Sequence, residues 1–258
     1  MVQVRWVYIY CLAAFIFSCS SSKIQNQPGS LVDDHVVVYD YTDISGSFKV
    51  QRKNSFKDKK IFFQRIMYQD SFDKSVEKLR TIMQVGGLYG QDGVSIRPVI
   101  SQMQAWMEGK EFSNQIKLNL KNKSLEVVSS GKTKKVEKSI FPVGKEHKLL
   151  CFFQQVPECL KMTGLLRKLL ANKEESVEIS IIMETYPFND LIYSDFPNQL
   201  IFKANVAQGS QDLLDVKTEV VLNVEMGGQV FNLKFTKNGN FMGMFWVAQG
   251  ISMVPQGT

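Results

Sequence analysis

The residues predict a mainly β protein: one antiparallel meander with two helices packed against it. Three observations lead there. From about residue 35 onward, apolar and polar side chains alternate between short turn signals, as strands with one buried face do. Only two stretches replace that period of two with helical spacing. The strand-like runs also follow one another without long helical crossovers, which favours antiparallel neighbours over a parallel sheet.

Taken in order, alternation predicts strands at 35–41, 47–52, 60–69, 97–107, 112–120, 124–130, 147–154, 176–185 and 199–207. The clearest pattern is C-terminal, a three-stranded meander over 217–249. Val220, Leu222, Val224 and Met226 alternate with Val221, Asn223 and Glu225, and Gly227-Gly228 turns the chain. Phe231, Leu233 and Phe235 follow, and the Asn238-Gly239 pair suits a type I′ turn, whose central residues both need positive φ. Two helices are expected. Ser71–Val85 places Val76, Leu79, Ile82 and Met83 on one side. Glu158–Asn172 places Met162, Leu165, Leu166, Leu169 and Leu170 together, with Lys161, Arg167 and Lys168 opposite. Gly86–Gly93 is glycine-rich but lacks the Lys-Ser/Thr of a phosphate-binding loop, and reads as a flexible connection.

The final predicted strand is apolar on both sides. Phe241, Phe245 and Val247 point one way and Met242, Met244 and Trp246 the other. Either a helix covers the second face or that face lines an apolar cavity. A long meander around a greasy interior with helices against it resembles the Lol-type lipoprotein carriers and receptors of the bacterial envelope. That resemblance is architectural, and implies a half-open barrel able to hold an acyl chain.

The N-terminus gives an address. Residues 1–18 carry one charge, Arg5, and an apolar run from Trp6 to Phe17. Twelve helical residues cover about 18 Å, well short of a bilayer core of ~30 Å, so the run has signal-peptide rather than membrane-spanning length. Ile16-Phe17-Ser18-Cys19 resembles the lipobox of bacterial lipoproteins, although Phe17 departs from the small residue usual at its position. The resemblance implies cleavage before Cys19, acylation of that cysteine, and a lipid anchor in the membrane. With Ser20 and Ser21 next, it leans toward the outer membrane, facing the periplasm. The alternatives are an ordinary secreted chain cut elsewhere, or a structural Cys19. Residues 19–34, serine-rich and broken by Pro28-Gly29, read as a flexible tether, leaving 35–258 as one β-rich domain.

Of four cysteines, Cys11 departs with the leader and Cys19 takes lipid. In an oxidising compartment Cys151 and Cys159, eight positions apart, invite a disulfide; the alternative is two buried thiols.

Catalytic signals are sparse. His35 and His147 are the chain's two histidines, neither in an H-x-x-x-H or C-x-x-C setting, and no G-x-S-x-G elbow occurs. No metal or cofactor is therefore expected, and no residue is nominated as catalytic, with hydrolysis left open. Acids beside aromatic rings, in the segment from Glu184 through Asp190 to Asp195, raise the question of glycoside cleavage. The same segment could instead form a binding lip of Tyr186, Phe188, Tyr193 and Phe196, or be a connection pinned by those rings. With Met242, Met244, Trp246, Leu165 and Leu169 these four make up the nominated ligand-binding set. The net charge of +6, or +5 once Arg5 leaves with the leader, is spread over runs such as 57–60 and 132–138 with acids between. No nucleic-acid partner is expected.

The sequence thus predicts a non-enzymatic, lipid-anchored envelope protein holding an acyl chain or a lipidated partner. The alternative is a structural or interaction lipoprotein with a filled core, binding a protein or cell-wall partner through its loops. Neither a particular partner nor an oligomeric state follows from the residues.

Overall fold

The computed structural model describes residues 36–43, 46–57, 60–68, 79–89, 96–107, 110–131, 136–147, 149–171, 173–209 and 219–256. The leader, Cys19, the tether and His35 lie outside them. The described residues begin in the middle of the sheet. Strands β1 (Val36–Asp43), β2 (Gly46–Lys57), β3 (Lys60–Tyr68), β4 (Leu79–Tyr89), β5 (Ile96–Met107), β6 (Lys110–Asn119), β7 (Ser124–Ser130) and β8 (Val136–Pro142) step outward, each antiparallel to the last. The chain then passes to the opposite end of the sheet, to β9 (Leu150–Phe152). A 3-10 turn, Phe153–Gln155, leads into α1 (Val156–Met162) and α2 (Leu165–Leu170), which carry the chain to β10 (Ser176–Ile182). After α3 (Asn189–Ile192), β11 (Ile201–Gln208), β12 (Glu219–Met226), β13 (Gln229–Thr236), β14 (Phe241–Trp246) and β15 (Ile251–Pro255) return to the far side of β1. The order is β8-β7-β6-β5-β4-β3-β2-β1-β15-β14-β13-β12-β11-β10-β9. The β9–β10 pair is parallel, so it needs the helical crossover that α1 and α2 supply.

The end strands β8 and β9 do not pair with each other, and the sheet stays open. It curls far enough that its β9–β10 end lies on the inner face of β5–β7. Phe152, Ile182 and Leu200 share a buried cluster there with Met103, Ile116, Leu125 and Val127. On the other side, Cys151, Ile179 and Ile181 join the larger core of α1, α2 and the β11–β15 strands. Ile179, Ser180, Ile181 and Ile182 are consequently all buried, as a strand covered on both faces must be. The expected half-open barrel with helices against it is what forms.

Several expectations are corrected. The predicted helix over Ser71–Val85 is overturned from Leu79 on, where β4 pairs with β3 on one side and β5 on the other; residues 71–78 lie outside the described set. Ladder hydrogen bonds on both edges outweigh an apolar spacing that fits either period. Gly86 and Gly87, read as a loop, sit inside β4 at a register shift, where missing side chains accommodate a bulge. The strand expected at 147–154 is cut to Leu150–Phe152 because Phe153 enters the 3-10 turn. The single helix over Glu158–Asn172 becomes two. Gly164 takes φ +74 and ends α1, with Thr163 Oγ1 donating back to the Cys159 carbonyl at 2.7 Å. Pro157, expected just before the helix, lies in its first turn, where its missing N–H costs nothing. The Asn238-Gly239 turn is not type I′, since only Gly239 has positive φ; that geometry falls instead on Gly227 and Gly228, both positive and flanked by the Met226–Gln229 pair.

The doubly apolar β14 has a related explanation. Phe235 pairs with Phe241 but Lys234 pairs with Gly243, so Met242 is an extra residue and the side-chain parity flips. Phe241 therefore packs on the core beside Tyr39 and Phe235, on the same side as Met244 and Trp246 rather than opposite them. Val247, expected on the strand, belongs to a 3-10 turn and is 82% exposed. Nor is β14 last, because β15 follows and pairs with both β14 and β1.

Candidate functional site

Five of the nominated binding residues, Met244, Trp246, Leu169, Tyr193 and Phe196, are buried in the core instead of opening it. Trp246 is fully buried, with the rings of Tyr193 at 5.0 Å, Phe196 at 5.1 Å, and Phe153 and Phe231 at 5.6 Å. Its Nε1–H donates to Gln229 Oε1 at 2.8 Å, as a buried indole requires. Met244 and Leu169 belong to the same packed cluster, with Leu165 half-buried against it. Met242, the bulge residue, is half-buried outside it. Tyr186 and Phe188 stack edge-on against Phe141 at 5.5 Å and Phe112 at 5.2 Å. The rings of the 184–199 segment thus pin a connection to the body. Asn114 Nδ2, donating to the carbonyls of Glu184 and Tyr186, holds the same segment against β6.

Cys151 and Cys159 form a disulfide, with Cα atoms 6.2 Å apart, tying β9 to α1. Beside it Arg52 reaches from β2 to α1. Its Nη2 donates to both Glu158 carboxylate oxygens at 2.8 and 3.0 Å and to the Gln154 carbonyl at 3.2 Å, and its guanidinium lies 4.6 Å over the Phe241 ring. That pair latches the helical layer onto the sheet.

A second polar group is enclosed in the core. Glu184 is 1% exposed; its Oε1 accepts the Gln154 backbone N–H at 3.0 Å, and its Oε2 has no hydrogen-bond partner. Burial is the main cause that raises its pKa to about 8, against the lowering effects of backbone donors and of Arg65. Arg65 is 5% exposed, has an unpartnered Nε, and lies 5.7 Å from the Tyr41 ring. Burial likewise pushes Tyr193 up to about 12 and raises Tyr41. Glu184 is hence a neutral acid near pH 7, capable of donating a proton but enclosed by protein. Asp190, in α3, and Asp195, in the turn after it, are exposed, so the three acids do not share an environment as paired catalytic carboxylates would.

His147 Nδ1 lies 2.8 Å from Ser180 Oγ and its Nε2 3.5 Å from Glu146 Oε1. The order of groups is that of a serine hydrolase relay, but Ser180 is 2% exposed in the middle of β10. A nucleophile there has no path to substrate. His147 lies in the connection between β8 and β9, with Ser180 and Glu146 beside its two ring nitrogens. Among the described residues no group of three His, Cys, Asp or Glu side chains could hold a metal ion.

An accessible concavity with apolar character lies beside the helices. It is an open groove of about 570 Å³, lined by Lys161, Gly164, Leu166, Arg167, Leu170 and Ala171 of α1, α2 and their break, and by Lys237, Asn238 and Gly239 of the β13–β14 turn. Each wall has a local cause. Gly164 swings α2 away from α1, and Gly239, at φ +78, closes the turn with its N–H on the Thr236 carbonyl at 2.8 Å. Lys161 Nζ donates to Asn240 Oδ1 at 3.3 Å and links the two walls. Sequence reasoning placed Lys161 and Arg167 on the solvent side of a helix, but had no signal for the turn that faces them.

No family model and no curated protein matches this chain. Among solved structures, a β-barrel-like protein of the domain of unknown function DUF1849, from Brucella abortus, is similar. The identity is 14% and the TM-score 0.46, over 85% of this chain and 94% of that one.

Proposed function

We propose that this is a non-enzymatic, lipid-anchored protein of the bacterial envelope, attached through Cys19 and facing the periplasm from the outer membrane, that binds an acyl chain of a lipid or of a lipidated partner. The observation that carries the reading is the groove between α2 and the β13–β14 turn, whose floor is Leu166 and Leu170. Its volume lies within the range of about 300–1,000 Å³ typical of small-molecule sites. Because Trp246 and its neighbours fill the interior on the β10–β15 side, the chain would lie along the helices there. The disulfide supports an oxidising compartment, and so export.

The test is mass spectrometry of lipid extracted from the purified chain lacking its anchor. Wild type should carry lipid, and Leu170→Asp, at a half-buried position on the floor, should come away bare while melting at a similar temperature. Absence of lipid from both, together with no binding of added fatty acid, would turn the assignment toward an interaction lipoprotein. That second reading has its own support in the filled core and in the open edge of β8, where Val136 is 66% and Ile140 63% exposed.

A further inference from the structure

The groove has a charge pattern as well as an apolar floor. Lys161, Arg167 and Lys237 all line it, and no carboxylate is among its lining residues. The nearby acids are engaged elsewhere: Glu158 with buried Arg52, and Glu174 with Lys168 at 3.3 Å. Lys161 is steadied by a neutral partner, Asn240 Oδ1, so its positive charge is not cancelled. These cations come from three separate elements and converge on one concavity. An apolar floor under a rim of three cations matches an amphiphile with an anionic head.

Resting on the acyl-chain reading above, we propose that the groove selects a single-chain anionic amphiphile of the long-chain fatty-acid class. The alkyl chain lies on Leu166 and Leu170, and the carboxylate sits between Arg167, Lys161 and Lys237. Arg167 supplies a planar pair of donors suited to a carboxylate, while the two lysines add charge. One alkyl chain is what the apolar floor accommodates, because it is made by two residues only, Leu166, 2% exposed beneath the Gly239 turn, and half-buried Leu170. The ligand's charged end is thereby held at the outer rim, where water can still reach it.

The experiment uses the full chain in native membranes, with a diazirine-bearing palmitic acid and its methyl ester as probes, and maps labelled peptides by mass spectrometry. The inference expects the acid to label the 161–171 peptide at least tenfold more than the ester, with a Lys161→Gln/Arg167→Gln/Lys237→Gln variant reducing the acid to the ester's level. Equal labelling by acid and ester overturns the anionic selection and leaves the acyl-chain reading standing. Labelling of the groove by neither probe overturns both. The wild-type comparison of acid with ester needs no variant, so it decides even if the triple substitution perturbs folding.

Discussion

Glu184 makes the stability of this protein fall as pH rises across neutrality. Its folded-state pKa of about 8 lies above its ordinary 4.5, so the native state keeps a proton that the unfolded chain has released. That contribution is fully present below pH 4.5 and is lost as pH climbs through 8. At about 1.4 kcal/mol per pH unit, a shift of roughly 3.5 units sets an upper limit of about 5 kcal/mol. Even half of this is a large part of the 5–15 kcal/mol typical of a domain. The neighbouring titratable groups do not confuse the window, since burial moves Tyr193 to about 12 and Tyr41 upward as well. The assay is urea unfolding followed by tryptophan fluorescence from pH 5 to 9. Wild type should lose stability steadily, whereas Glu184→Gln, which mimics the protonated acid and can still accept the Gln154 N–H, should be nearly flat. The variant should match wild type within about 1 kcal/mol at pH 5 and exceed it at pH 8.5. Parallel curves for the two proteins would refute the argument.

Other perturbations test separate parts of the fold. Replacing Cys151 and Cys159 by Ala opens a short loop, and should cost about 2.5 kcal/mol in urea midpoints under oxidising conditions, with no difference from wild type in excess reductant. Glu158→Ala removes the carboxylate that Arg52, whose side chain is only 7% exposed, donates to, and should cost about 1.5–3 kcal/mol, since the bond to the Gln154 carbonyl stays; Arg52→Met with Glu158→Leu should recover most of it in the same measurement. Gly243→Ala puts a methyl group against the Met253 carbonyl at φ +155 and should lower the melting temperature markedly, while Gly164→Ala, with open space around it, should cost only about 1 kcal/mol. Cys19→Ala should abolish labelling by radioactive palmitate and move the protein into the aqueous phase of a detergent partition.

The β12–β13 pair could be read directly because each of its strands has one buried and one wetter face, which writes a period of two into the residues. The same physics hides β8. Val136, Glu137, Lys138, Ser139 and Ile140 are all exposed, so no face imposes a contrast. Helical and strand periods are both compatible with Leu79, Ile82 and Met83, and only pairing with β3 and β5 decides between them. The flip at Met242 depends on a bulge that a linear alternation rule cannot contain. Of the polar features, the Cys151–Cys159 bridge is local and legible. The Arg65–Glu184 group and the Lys237 rim of the groove unite distant parts of the chain, and no short-range pattern announces either. Trp246 and Tyr193, nominated for the ligand-binding set, are buried with their rings 5.0 Å apart, and burial around them closes space instead of leaving it.

The seam between β1 and β15 sets a condition on assembly. Tyr39 lies opposite Pro255 and Tyr41 opposite Met253, so one edge of the central strand stays bare until β15, the last strand among the described residues, covers it. Until then the first half-sheet shows a bare row of amide and carbonyl groups, a template for wrong neighbours. Removing β15 as a whole would therefore split the sheet at its middle and not merely fray an end.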